Sequence, residues 1–247
     1  MSKIKKITNC VRGVLSPLLS NIILDELDKE LTRRGHSFVR YADDCSIYAG
    51  SEKAAQRVLA SITTYIEKSL KLKVNQEKSK VSRPTESTLL GFSFYNNTGT
   101  LQVRVAGKTL KRIKEKCKKI TQRNNGNNTN QKITALKAVI EGWVNYFSIA
   151  KGKSAMQQLD EYVRVRLRMG LWKEWKNCKT RVANLLKLKA SKQKSYEWGN
   201  SSRGYCRIAH SPVLQTTLDN AYFIRNGYKG FLNTYNRKRQ TTQTTLL

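Results

Sequence analysis

Acidic residues are scarce in this chain: 17 Asp and Glu stand against 47 Lys and Arg, a formal net charge of +30 over 247 residues. So large a surplus calls for a polyanionic partner, either nucleic acid or an anionic membrane surface. Histidine is nearly absent, with only His36 and His210, and the five cysteines (Cys10, Cys45, Cys117, Cys178, Cys206) stand singly without a CxxC pair. That spacing excludes a zinc knuckle, a zinc-type endonuclease and a disulfide framework. Long hydrophobic runs are missing too, since no stretch approaches the roughly 20 apolar residues of a spanning helix. The basic N-terminus makes a poor signal peptide, its apolar run being broken by Pro17 and Asn21 and meeting Asp25. With no amphipathic anchor or lipidation signal either, the expectation is nucleic acid and no membrane. The location that fits is reducing and intracellular, a bacterial cytoplasm or an organelle matrix.

What the chain has is 39% hydrophobic residues, enough for real cores. Its charge is divided unevenly: residues 13–95 hold 12 basic and 10 acidic side chains, residues 107–194 hold 23 and 5. The first segment is balanced as enzyme domains often are, whereas the second can neutralise many phosphates and release their counterions. Two functional units are implied. In the first, Leu18, Leu19, Ile22, Ile23 and Leu27 recur at helical steps from Val14 to Leu31, with Pro17 in the first turn. Two short strands then flank Ala42-Asp43-Asp44, a second helix opens at Ser51, a strand is expected over Lys78–Ser82, and a hairpin surrounds Asn96-Asn97-Thr98-Gly99. Beyond Gly107 the spacing predicts helices over 108–122, 133–147, 154–175 and 181–188, a loop over 196–204 and a pair of short helices ending near Gly227. The fold class is α+β, a mixed layer followed by an all-helical basic region. The divisions are 1–12 as a non-homologous or disordered start, 13–106, 107–190, 191–235, and a disordered tail over 236–247.

Adjacent carboxylates at the tip of an apolar hairpin repel each other, and a divalent metal relieves that cost. Two metals roughly 4 Å apart are the usual apparatus of nucleotidyl transfer. Phe38-Val39-Arg40-Tyr41-Ala42-Asp43-Asp44 resembles the Y-x-D-D hairpin of reverse transcriptases. Gly13-Val14-Leu15-Ser16-Pro17-Leu18-Leu19-Ser20-Asn21 is similar to the segment preceding that hairpin in group II intron enzymes. Leu72 to Lys80 and Leu89-Leu90-Gly91-Phe92-Ser93-Phe94 match the two following family blocks in order. The resemblance implies a partial right-hand palm over 13–106 in which Asp43 and Asp44 ligate Mg²⁺ and Tyr41 packs near the primer end. It places Lys78 at the nucleotide phosphates, and gives Gly13, Ser16, Pro17, Leu90, Gly91 and Phe92 template or primer contacts. For Lys78 a solvated lysine, and for Leu90 and Phe92 plain core packing, are the structural alternatives.

The family's metal cage needs a further aspartate on an earlier strand, and only 12 residues precede Gly13; Asp25 and Asp28 fall on the polar side of a helix. Cys10-Val11-Arg12-Gly13 also departs from the family's Pro-Gln-Gly-Gly. This polypeptide alone is therefore not expected to polymerise DNA.

Glu141-Gly142-Trp143-Val144-Asn145-Tyr146-Phe147 resembles the maturase-specific, or X, domain of group II intron proteins, with its Gly-Trp-x-x-Tyr-Phe mark. The periodicity predicts a core seam of Ile133, Leu136, Ile140, Trp143, Val144 and Phe147 against Leu159, Val163, Leu167 and Leu171. Lys111, Lys114, Lys118, Arg164, Arg166, Arg168, Lys173, Lys176 and Arg181 are the candidate RNA contacts, arginine forks being suited to phosphate. Trp172, Trp175 and Trp198 are read first as core and only second as base-stacking platforms. The resemblance implies group II intron RNA as partner, with target DNA and a primer-template as further ones. It leaves open an intron-encoded reverse transcriptase/maturase fragment, a non-enzymatic RNA-binding splicing factor, or a decayed mobile-element product. The oligomeric state is not legible.

Overall fold

The first helix, α1 (Ser16–Arg33), starts where Pro17 fits a first turn whose N–H groups need no helical partner. A computed structural model of the chain describes residues 2–4 and 15–245, so Cys10 and Gly13 lie outside the described residues. The chain divides into two compact units, Met1–Leu89 with Ser93–Leu101, and Leu90–Phe92 with Gln102–Leu247. The fold class is α+β, as expected.

In the first unit α1 is followed by β2 (Ser37–Tyr41) and β3 (Asp44–Tyr48), with β1 (Ser2–Ile4) on the other side of β3. All pairings are antiparallel, with Tyr41 opposite Asp44 and Ser2 opposite Ile47. The start expected to be non-homologous or disordered contributes a strand at Ser2–Ile4. Helix α2 (Glu52–Lys68) is capped by Ser51, whose hydroxyl accepts from Ala54 N. Leu24, Leu27, Leu31, Cys45, Ile47, Ile62, Ile66 and Val74 form the core. Of the apolar face expected on α1 only Leu27 is buried, while Leu18, Leu19, Ile22 and Ile23 stay exposed. The helical period was legible, but only the C-terminal turns of α1 reach the core cluster. The strand expected over 78–82 does not form. Asn75 instead closes a turn by accepting Lys78 N, and the lysine-rich run after it has no apolar phase to bury. A second sheet has the order β4 (Thr88–Leu89), β5 (Phe92–Asn97), β6 (Thr100–Val105), its hairpin turning at Thr98-Gly99.

The second unit holds α3 (Gly107–Ile120), α4 (Thr129–Phe147), α5 (Lys153–Glu174), α6 (Cys178–Lys187), α7 (Lys192–Gly199), α8 (Tyr205–Ala209), α9 (Pro212–Thr217), α10 (Asn220–Arg225) and α11 (Phe231–Thr245). Asn128 and Gln131 form a reciprocal capping box at the start of α4. The expected seam is the core: Ile133, Leu136, Ile140, Val144, Phe147, Leu159, Val163, Leu167 and Leu171 are buried and Trp143 packs against them. Each such side chain contributes roughly 1.5–3 kcal/mol when fully buried.

Two expectations fail here. The loop over 196–204 is helical as far as Gly199, because Ser191 caps α7. The tail expected to be disordered from 236 continues as α11 to Thr245. Helix α11 forms because Phe231, Thr234 and Tyr235 are buried on one face and Asp160, 71 residues earlier, caps its first turn. No helix among the described residues is long and apolar enough to cross a membrane.

Candidate active-site hairpin and nucleic-acid interface

Strands β2 and β3 are joined by a two-residue turn, Ala42-Asp43, closed by the Tyr41–Asp44 pair. Ala42 sits in the left-handed region at φ 52, a conformation costing a Cβ-bearing residue about 1–2 kcal/mol. Such strain persists where neighbours over-determine it. The brace is Arg40: its Nε donates to Asp28 Oδ1 at 2.7 Å, and its Nη1 donates to the Ala42 carbonyl at 3.1 Å and Asn21 Oδ1 at 3.2 Å. The carboxylate of α1 and the turn carbonyl are thereby tied to one guanidinium. Asp43 is exposed, Asp44 half-buried, and Tyr41 62% exposed, so its ring is open to solvent or a partner.

Asp28 is consequently not a spare carboxylate beside the hairpin, because the Arg40 guanidinium already claims it. Among the described residues no group of three or more His, Cys, Asp or Glu could hold a metal ion. Cys45, buried one residue after Asp44, does not add a ligand. Burial, with Asp28 a smaller cause, pushes its thiol up to about 12, so it stays protonated. Sequence reading missed Arg40, although its strand phase carried a signal. It shares the inward phase of Phe38, and a cation on an inward position needs an acid.

Of the other expected site residues in this unit, Ser16 is half-buried and Pro17 exposed at the start of α1, and Lys78 is exposed in its turn. The Leu90-Gly91-Phe92 block belongs to the second unit. Leu90 (φ 52) and Gly91 (φ 84) make a left-handed pair between β4 and β5. A Cβ on Gly91 would lie 3.0 Å from Thr109 Oγ1 and 3.2 Å from Phe147 Cζ, so the backbone approaches α3 and α4 as only glycine allows. Thr109 Oγ1 and Ala106 N both donate to the Gly91 carbonyl, and the Tyr146 hydroxyl donates to that of Leu90. Phe92 is buried, stacked on Tyr146 at 5.5 Å and tilted against Phe147 at 5.0 Å. Phe92 is therefore core, whereas Leu90 is left partly exposed. Trp143 completes the aromatic cluster against Phe147 and Phe231.

The basic residues of the helical unit separate into two groups. Lys111, Lys118, Lys173 and Lys176 are exposed, although Lys173 Nζ also donates to Arg123 O and Asn124 Oδ1. Lys114 is half-buried over the Tyr162 ring, and Arg164 is half-buried. The remaining three are engaged inside the fold. Arg166 donates to Thr121 Oγ1 at 2.7 Å and to the Lys118 carbonyl, closing the C-terminus of α3. Arg168 is 8% exposed and donates to Leu218 O. Arg181 lies over Trp172, 4.9 Å from its ring centre. Trp172 and Trp175 are buried and Trp198 is packed against the core, so the core reading of all three holds.

Residues 11–94 match the reverse transcriptase (RNA-dependent DNA polymerase) family and residues 110–188 the group II intron, maturase-specific domain. The chain is also similar to the retron Mx65 reverse transcriptase of Myxococcus xanthus, 37% identical over 79 residues, 30% of this chain. The matched part spans 18% of that relative's length.

Proposed function

We propose that this chain is the hairpin-bearing palm and maturase-domain portion of an intron-encoded reverse transcriptase/maturase, one that binds intron RNA and assists its splicing and mobility, because residues 11–94 match the reverse transcriptase family and residues 110–188 the group II intron, maturase-specific domain. The observation carrying this reading is that the two family segments follow each other in one chain, with the end of the first folded into the second compact unit. Leu90-Gly91-Phe92, at the end of the first, is seated on Tyr146 and Phe147 of the second. The surplus of 23 basic over 5 acidic residues in 107–194 supports a phosphate-rich partner.

Reverse transcriptases use divalent metal ions. The hard carboxylate oxygens of Asp43 and Asp44 suit Mg²⁺ and fit as two of its ligands. The full set is not met among the described residues, where Asp28 is held by Arg40 and no third group joins the pair. The polypeptide by itself is then an RNA-binding splicing aid rather than a polymerase. Purified chain should promote splicing of an intron RNA equally well with Asp43→Ala, and should not extend a primer on an RNA template in Mg²⁺ or Mn²⁺. Robust extension that Asp43→Ala abolishes would overturn the inactivity.

A further inference from the structure

The ends of α5 and α6 and the α9–α10 segment line an open cleft of about 570 Å³, within the roughly 300–1,000 Å³ range of small-ligand sites. Two of its walls are aromatic. Trp175 is held against Trp172 with ring centres 5.7 Å apart, and Tyr222 is set edge-on to Phe223 at 5.4 Å, so both rings are pre-positioned rather than mobile. Lys187, Lys189 and Arg225 are among the residues that line it. Asp219 is the single carboxylate among the described lining residues, and its Oδ1 already accepts Tyr222 N at 2.7 Å. Asn184 also lines the space, and a carboxamide can both donate and accept.

Lys189 is the telling residue. Helix α6 ends in paired bonds from Lys189 N to Leu186 O and from Ala190 N to Leu185 O, with Lys189 at φ +63. That closing position is usually glycine, which alone adopts it without strain. Lys71 and Lys176 have positive φ as well, but neither lines this cavity. A strained lysine lining an aromatic, cation-bearing cleft points to a ligand with a flat ring and a phosphate.

We infer that this cavity takes the base and backbone phosphate of one unpaired RNA nucleotide, with the Tyr222 ring against the base, the core residue Trp175 closing the site behind it, Asn184 meeting the base edge, and Lys187, Lys189 and Arg225 on the phosphate. The inference rests on the RNA-binding reading above. Stacking on an aromatic ring tolerates any base, so the site selects unpaired over paired RNA rather than a sequence.

The test uses the full chain, a blunt RNA duplex, the same duplex with a single-stranded extension, and adenosine monophosphate. Wild type should prefer the extended RNA. Lys189→Gly and Arg225→Gln should each lose about tenfold on it and little on the blunt duplex. Because glycine relieves the left-handed strain, Lys189→Gly should melt no lower than wild type, which separates lost binding from lost folding. Duplex binding with no preference for the extension, or variants that bind both RNAs as wild type does, overturns the site while leaving the functional reading intact. Absence of binding to either RNA overturns both. Saturable binding of adenosine monophosphate, lost in Lys189→Gly, without any preference among the RNAs assigns the cavity to free nucleotides and overturns the RNA inference.

Discussion

At Gly91 two requirements meet: a φ of +84 and a Cβ position already occupied by Thr109 and Phe147. Gly91→Ala should therefore cost the left-handed penalty of about 1–2 kcal/mol plus an overpacking term of about 1–3 kcal/mol. Urea unfolding would show it as a lower midpoint with the slope unchanged. The thiols give a second residue-scale expectation. Burial pushes Cys45 up from 9.0 to about 12 and Cys117 up to about 11. Above the ordinary thiol value the unfolded chain loses these protons first, so the native state binds more protons and stability falls as pH rises from 9.0 towards those folded values. Melting temperatures measured across that window should decline, and less so in Cys45→Ala. The hairpin that carries Tyr41, Asp43 and Asp44 was legible at this scale from the order of its residues. Arg40 was less so, because its partner Asp28 lies 12 positions away on α1, and a pairing across two elements leaves no local pattern.

At the scale of the element, α11 shows how a helix can be invisible in sequence and still well formed. Its first turn is capped from α5. The Asp160 carboxylate, 5% exposed, accepts Phe231 N at 2.7 Å, Leu232 N at 2.9 Å and the Tyr228 hydroxyl at 2.8 Å. Gly230 (φ +76) permits this approach, since a Cβ there would stand 2.9 Å from Asp160 Oδ1. A carboxylate can accept all three bonds, whereas the amide of Asp160→Asn turns one acceptor into a donor. The variant should lose about 1.5–3 kcal/mol, the range for bonds to a charged group. The loss should concentrate in α11, read as faster amide exchange over 231–245 than over α4. The failed strand over 78–82 is the opposite case: Val81 is its single strong β-former, and the lysines and serines around it offer no phase to bury.

For the whole molecule the dominant quantity is charge. If the exposed lysines of the helical unit neutralise phosphates, RNA affinity should fall steeply with salt, log K dropping by about 0.7–0.9 per phosphate for each tenfold rise. Replacing Lys111 and Lys118 together by Gln should lower that slope by about one to two, whereas a slope unchanged by the double substitution would place the RNA elsewhere. Arg166 is expected to behave differently. Its guanidinium serves Thr121 and the end of α3, so Arg166→Gln should lower stability more than it lowers the salt slope.

The sequence by itself determined the charge surplus, the resemblance to the two families and the helical seam, because each depends on quantities that add along the chain: net charge, ordered motif blocks and the 3.6-residue period of apolar residues. Only the tertiary structure decided which carboxylate stays available beside Tyr41-Ala42-Asp43-Asp44, which arginines are committed to carbonyls rather than offered outward, and whether the last residues fold. Those outcomes depend on pairings between distant positions, Arg40 with Asp28, Arg168 with Leu218, Asp160 with the start of α11. Desolvating a charge is tolerable only when a partner arrives from another element, and that arrival is a property of the packed chain.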